Sequence, residues 1–260
     1  MPAVSGNVLI TIPISHFCEK ARWALDRACV PYSERSHLQV FHRFAARRAG
    51  GGNTVPVFVS AGRVLRESAD IVAFADAHAP ADRRLYPRDA SEAAEVRALE
   101  RDFDERLGPE GRLWMYHQLR DRRDLAIEYG CTGVPGWERR LLPLLFPLMI
   151  KTINRILGIT PDTVRRAEAE VRATFDAVGE RLGDGRRYLC GDEFTAADLT
   201  FSALAAAVLV PPGYGVPLPQ PDVLPAPAAE LVRALRAHPA GAHALAMFRD
   251  ERHGTPSLVA

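Results

Sequence analysis

The chain has little cysteine. Cys18, Cys29, Cys131 and Cys190 are spread over 260 residues with no pair at metal-ligand or dithiol spacing. This excludes a disulfide framework and a thiol-built metal site, and points to free thiols in a reducing, cytoplasmic setting. An excess of either charge is also missing, with 33 Lys and Arg against 32 Asp and Glu. That balance gives no field argument for nucleic acid or for a membrane, so neither partner is expected. No basic segment precedes an apolar run at the start, so no secretion signal is expected. The most apolar run, 141–150, is too short to span a bilayer and carries Pro143 and Pro147. Gly50-Gly51-Gly52 lacks a following helix, which argues against a phosphate-cradling loop. No metal is expected.

What is present is ordered punctuation. Val8 to Ile12 is a short β-branched run, and Phe17, Ala21, Ala24, Leu25 and Ala28 then recur at helical spacing until Val30-Pro31. Residues 32–38 can form a polar edge strand, and 40–49 a short basic helix. A strand over 55–59 turns at Ala61-Gly62 into Arg63-Val64-Leu65, and 68–78 reads as a helix. The order β-α-β-α-β-β-α fits within about eighty residues.

A charged segment with Pro80 and Pro87 resembles a domain boundary, and the period beyond it is helical. The expected division is 1–82, a linker over 83–90, and an all-helical part over 91–254. Ser91 is expected to cap a helix reaching Leu107, Gly108-Pro109-Glu110-Gly111 to interrupt it, and Leu113 to Ile127 to resume. Two prolines four apart predict a kink or two short pieces within 137–157. Thr160-Pro161 starts the next helix, running to about Leu182. Phe194-Thr195-Ala196-Ala197-Asp198-Leu199 has the spacing of a capping box with a hydrophobic staple, and introduces a helix apolar on nearly every face. Seven prolines between 211 and 227 predict an extended crossing loop before two short terminal helices and a frayed tail from His253.

The residues that could do chemistry cluster at element ends. Ser15 lies between the first strand and the first helix, where it can be an N-cap or a hydroxyl donor to a bound thiolate. Cys18 in the first helical turn can be a reactive thiol or a small buried residue beside Ala21 and Leu25. His16 reads as exposed or gating. Pro56 stands at the mouth of a strand, so the backbone of Val55 can pair with a peptide-like ligand. Glu67 and Ser68 precede a helix whose first N–H groups face the same point, suited to an ammonium and a carboxylate. Trp114, Met115, Tyr116 and His117 are the expected lining of a second, acceptor pocket.

Four segments together resemble the cytosolic glutathione transferase superfamily over essentially the whole chain. They are Ser15 to Leu25, Thr54-Val55-Pro56-Val57-Phe58, Glu67-Ser68-Ala69-Asp70-Ile71, and Phe194-Thr195-Ala196-Ala197-Asp198. The resemblance implies an α+β fold, with a thioredoxin-like N-terminal domain and an all-helical C-terminal domain. It implies glutathione as co-substrate, with another low-molecular-weight thiol as an alternative, a small hydrophobic electrophile as acceptor, and a homodimer. Residue by residue, Ser15 matches the activating serine, Pro56 the cis-proline, Val55 the partner of the cysteinyl backbone, and Glu67 and Ser68 the binders of the γ-glutamyl end. The activity implied is detoxifying conjugation. A binding or regulatory module without turnover, and a reductase or isomerase using Cys18, stay open. Two departures stand out: His16 replaces the usual proline, and the second half is longer than the family norm.

Overall fold

The computed structural model describes residues 6–252. The first part contains β1 (Val8–Thr11), α1 (His16–Arg27), β2 (Ser33–Ser36), α2 (His42–Arg48), β3 (Val57–Ser60), β4 (Arg63–Leu65) and α3 (Ser68–His78). They form one four-stranded sheet in the order β2-β1-β3-β4. β1 and β2 are parallel, as a crossover through α1 requires. β3 runs antiparallel to β1 with Val57 opposite Ile10, and β4 antiparallel to β3 with Leu65 opposite Phe58. Alternation along the strands divides the apolar side chains between two layers. Leu9, Phe58 and Leu65 join Ala21, Leu25, Ile71 and Ala75 of α1 and α3 in the main core, whereas Ile10 and Val57 pack with Ala46 of α2. β2 is the polar edge expected.

The second part contains α4 (Ala90–Asp102), α5 (Gly108–Leu119), α6 (Arg123–Gly130), α7 (Gly136–Leu157), α8 (Pro161–Arg181), α9 (Ala196–Leu209), α10 (Ala226–Ala237) and α11 (Pro239–Met247). This is the thioredoxin-like domain and all-helical domain expected. α9 lies at the centre, buried at every position but Ala207. Its start is fixed by Asp198, which accepts from Thr195 N–H at 3.0 Å, the Thr195 hydroxyl at 2.9 Å and Leu189 N–H at 2.7 Å.

Four sequence expectations need correction, the first being a single helix from Leu113 to Ile127, which breaks at 120–122 between α5 and α6. Asp89, not Ser91, caps α4, accepting from the N–H groups of Ser91 and Glu92. Gly108 to Gly111 does not interrupt the helix. A π-turn over Phe103–Leu107 leads straight into α5, where Pro109 occupies the first turn and needs no hydrogen bond. The glycine there is required for close approach, since a Cβ at 108 would come within 2.4 Å of the Phe17 ring. α7 is continuous through Pro143 and Pro147, so of the two alternatives expected the two-piece one falls. The carbonyl that Pro143 leaves unpaired belongs to exposed Arg139, where water can serve it. The tail from His253 lies outside the described residues.

Two buried carboxylates tie distant segments together. Glu138 at the start of α7 accepts from Leu38 N–H and meets His37, which joins the β2–α2 connection to the helical part. Glu19 of α1 meets Arg22 at 3.2 Å, Arg252 at 2.7 Å and Gly215 N–H at 3.2 Å, anchoring the proline-rich crossing. Burial pushes the Glu19 carboxyl up, but Arg252 and Arg22 overcome it and hold the carboxyl below its ordinary range.

Candidate active site

Three element ends meet at one edge of the sheet. Continuing the β1–β3 register past Ile10 and Val57 brings Ile12 level with Val55. Continuing β3–β4 past Phe58 and Leu65 brings Pro56 level with Glu67. The Val55–Pro56 peptide bond is cis. A cavity of about 320 Å³ opens at this edge, within the usual range for a small-ligand pocket. Ile12, Ser15, Thr54 and Val55 line its sheet side, Arg112, Met115 and Tyr116 come from α5, and Phe146, Met149 and Ile153 come from α7. Tyr214, Leu218 and Pro219 of the proline-rich crossing also line it. None of the described lining residues is Asp or Glu, whereas Arg43 and Arg112 both are part of the wall.

Ser15 takes the N-cap role that the sequence allows. It is the N-cap of α1, accepting from Cys18 N–H at 3.4 Å, and it lines the cavity. A hydroxyl that accepts still has its own proton to donate. His16 is buried, not exposed: its Nε2 lies 2.9 Å from the Gly108 carbonyl, to which it must donate. Burial first, and then the charge of Arg112, hold its pKa at about 3, so the ring is neutral at physiological pH. Cys18 is fully buried and does not line the cavity. Burial pushes its thiol up to about 11, against the opposing charge of Arg22, which suits the small-core-residue alternative.

Of the expected acceptor residues, Tyr116 lines the cavity together with Met115. Trp114 and His117 do not. Trp114 points into the core, its indole N–H 3.3 Å from Glu168 of α8, and His117 is occupied by Arg120. The α-helical period separates these neighbours, because successive residues on α5 lie about 100° apart.

Glu67 and Ser68 stand at the start of α3, beside the cavity and not in its lining. Ser68 is buried and Glu67 exposed, and no side chain caps the first turn of α3. Next to them lies a group that the sequence reading missed. Lys20 is fully buried between Glu100 at 3.0 Å and Asp104 at 2.7 Å. Asp104 Oδ1 is buried without a hydrogen-bond partner. Burial raises the Asp104 pKa, Lys20 opposes this, and the negative charge of Glu67 is among the forces raising it further. Asp104 sits in the π-turn, and Arg112 one turn into α5. Pro109 at the first helical turn was the signal for that helix start.

The N-terminal domain model of glutathione S-transferases matches residues 9–83, and the C-terminal domain model matches 161–238. No curated protein matches the sequence. Among solved structures, a glutathione S-transferase from Xanthobacter autotrophicus Py2 is similar with a TM-score of 0.57 at 17% identity, over 94% of this chain and 93% of that one. Glutathione transferase F2 from Populus trichocarpa gives 0.57 at 15%, over 94% and 99%. A theta class glutathione S-transferase from Xanthomonas axonopodis pv. citri, with glutathione bound, gives 0.51 at 18%, over 93% and 97%. At these identities the likeness is one of fold. With both domain models matched in order, together over more than half its length, the chain belongs to the glutathione S-transferase superfamily.

Proposed function

We propose that the protein binds glutathione at the sheet edge and transfers its thiol to a small apolar electrophile held in the cavity. The tripeptide lies along Val55, with its γ-glutamyl carboxylate at Ser68 and the open N–H groups of α3. Its ammonium meets the exposed carboxylate of Glu67. The sulfur then sits by Ser15.

The observation that carries this reading is the Ser15 hydroxyl in the wall of a cavity that has two arginines and no carboxylate among its described lining residues. A hydroxyl donor and the positive field of Arg112 both favour a thiolate over a thiol. Together they are worth a pKa reduction of roughly one to two pH units, about 1.4 kcal/mol each. The neutral His16 ring takes no proton and fixes the loop against α5. The electrophile is aligned by the α5 and α7 side chains, so proximity and thiolate stabilisation do the work. A mechanism through Cys18 has little support, because a thiol pushed up to about 11 is not ionised at neutral pH. We also propose a cytoplasmic location, as for the free thiols, and the homodimer common in the family.

The test is conjugation of glutathione to chlorodinitrobenzene by wild type and Ser15→Ala. The expected loss in kcat/KM is about 10- to 100-fold, the equivalent of that pKa change. Unchanged turnover in Ser15→Ala rejects the role of Ser15. Glutathione binding with no turnover in wild type identifies a binding module, and turnover only with another small thiol reassigns the co-substrate.

A further inference from the structure

The inner face of α7 builds the cavity, and its outer face is unusual in being apolar too. Trp137, Leu141, Leu144 and Leu148 recur at steps of four, three and four residues, which places them in one stripe along the solvent side of the helix. They are not partly covered edges: Trp137 is 54%, Leu144 77% and Leu148 63% exposed. The same stripe continues into Lys151 and Arg155, with Arg140 beside it, all exposed. α2 extends the patch. Its preceding Phe41 meets the Trp137 ring edge-on at 5.3 Å, and one turn further Phe44 is 68% exposed. α2 adds Arg43, Arg47 and Arg48.

The ionic side chains of these two helices are therefore cations, with one exception. Glu138 is the single carboxylate in either helix, and it is fully buried against His37 and Leu38. The near-zero net charge of the whole chain conceals this local segregation. α7 also lies between the segments matched by the two family domain models.

We infer that the outer face of α7, with the tip of α2, docks the protein on an anionic lipid surface. Charge complementarity selects this occupant. A second copy of the chain meeting it face to face would bring Arg140, Lys151 and Arg155 against the same cations, with no exposed carboxylate on α2 or α7 to receive them. A helix with Trp, Phe and Leu along its crest and Lys and Arg at its flanks is what binds at the headgroup boundary, the basic residues supplying the preference for anionic lipid. Among the described residues no single helix is long and apolar enough to cross a membrane, and the contact proposed is a peripheral one. The expectation of no membrane partner rested on total charge, and this face replaces it with a proposal about local charge. The inference is independent of whether glutathione binds.

The experiment is co-sedimentation of the full chain with vesicles of phosphatidylcholine alone or of equimolar phosphatidylcholine and phosphatidylglycerol, with tryptophan emission recorded in parallel. Trp137 supplies the signal, because the other two tryptophans, Trp23 and Trp114, are 0% and 1% exposed. The expected result is at least about ten-fold tighter binding to the anionic vesicles, lost at high salt, with a blue shift of Trp137. Leu144→Ser with Leu148→Ser removes the blue shift, and Arg140→Glu with Lys151→Glu removes the preference for anionic lipid. All four residues are exposed, so these variants keep the fold. Equal binding to both vesicles, or no emission change, overturns the inference. So does a self-association in lipid-free solution that the Leu144→Ser and Leu148→Ser pair abolishes, since the face then belongs to a second copy. Retention on anionic vesicles that needs the cations but not the leucines means that the apolar crest does not enter the lipid, and overturns it equally.

Discussion

Glu138 accepts the backbone N–H of Leu38 at 2.8 Å, reaching across 100 residues of sequence from the first turn of α7 to the loop before α2. Its other oxygen lies 2.6 Å from Nδ1 of His37. The carboxylate thus fixes the loop that carries Gln39 and Val40 into the cavity wall. Glu138→Ala leaves the Leu38 N–H buried and unsatisfied, at a cost of about 1–3 kcal/mol. Urea denaturation checks the loss, and hydrogen exchange at Leu38 should accelerate with it. Glu138→Gln retains one acceptor and should lose less. Unaltered exchange in Glu138→Ala would show that the clamp is dispensable.

Cysteine reactivity separates the two readings of Cys18. Cys29 is exposed, whereas Cys18, Cys131 and Cys190 are buried. Burial pushes Cys18 and Cys190 up to about 11. Titration of the native protein with a disulfide reagent at mildly alkaline pH should give one fast thiol, removed by Cys29→Ser. Cys18→Ala should leave conjugation unchanged. A second fast thiol lost with Cys18 would revive a thiol-based mechanism.

His16 predicts a pH dependence. Its pKa is about 3 in the folded chain against an ordinary 6.5, the main cause being burial. Between these values the unfolded chain binds the proton and the folded chain does not. Stability is therefore full above pH 6.5 and falls as the pH drops toward 3, by up to about 1.4 kcal/mol per pH unit. His42, lowered to about 4 mainly by burial, acts in the same direction. Denaturation curves between pH 6.5 and 5, above most carboxylate titration, should show a slope that His16→Asn reduces by about one proton. An identical slope in His16→Asn would place the buried neutral ring in doubt.

Asp198 tests how α9 is started. It serves three donors at zero exposure, and also lies 3.3 Å from His243. Asp198→Ala should cost about 3 kcal/mol or more, and Thr195→Ala about 1 kcal/mol. Chemical denaturation of both variants decides; equal losses would contradict the central place given to the carboxylate.

These residues also show what a sequence reveals. The Thr195–Asp198 box and the Thr160–Pro161 start are local arrangements whose capping chemistry is written within four residues, and the Ser68–His78 helix shows in the spacing of Ile71, Phe74 and Ala75; all three were legible. The sheet-edge placement of Ser15, Val55 and Glu67 came from strand order plus resemblance. The π-turn at Phe103–Leu107 was not legible, because no local residue pattern marks it and the contact beside it, Phe17 against Gly108, comes from the other domain. Asp104 and Arg112 were missed with it. His16 read as exposed since its partner, the Gly108 carbonyl, is 92 residues away. Trp114 and Tyr116 are two residues apart on α5, and only tertiary packing decides which of them faces a cavity.

The central claim is a site for glutathione between Val55, Ser68 and Ser15, and calorimetric titration of glutathione into the wild-type chain tests it most directly. The account predicts saturable binding of one glutathione per chain, weakened by Ser68→Ala and little changed by Ser15→Ala, whose hydroxyl acts on the sulfur's ionisation. A flat titration of the folded protein at millimolar glutathione would contradict it.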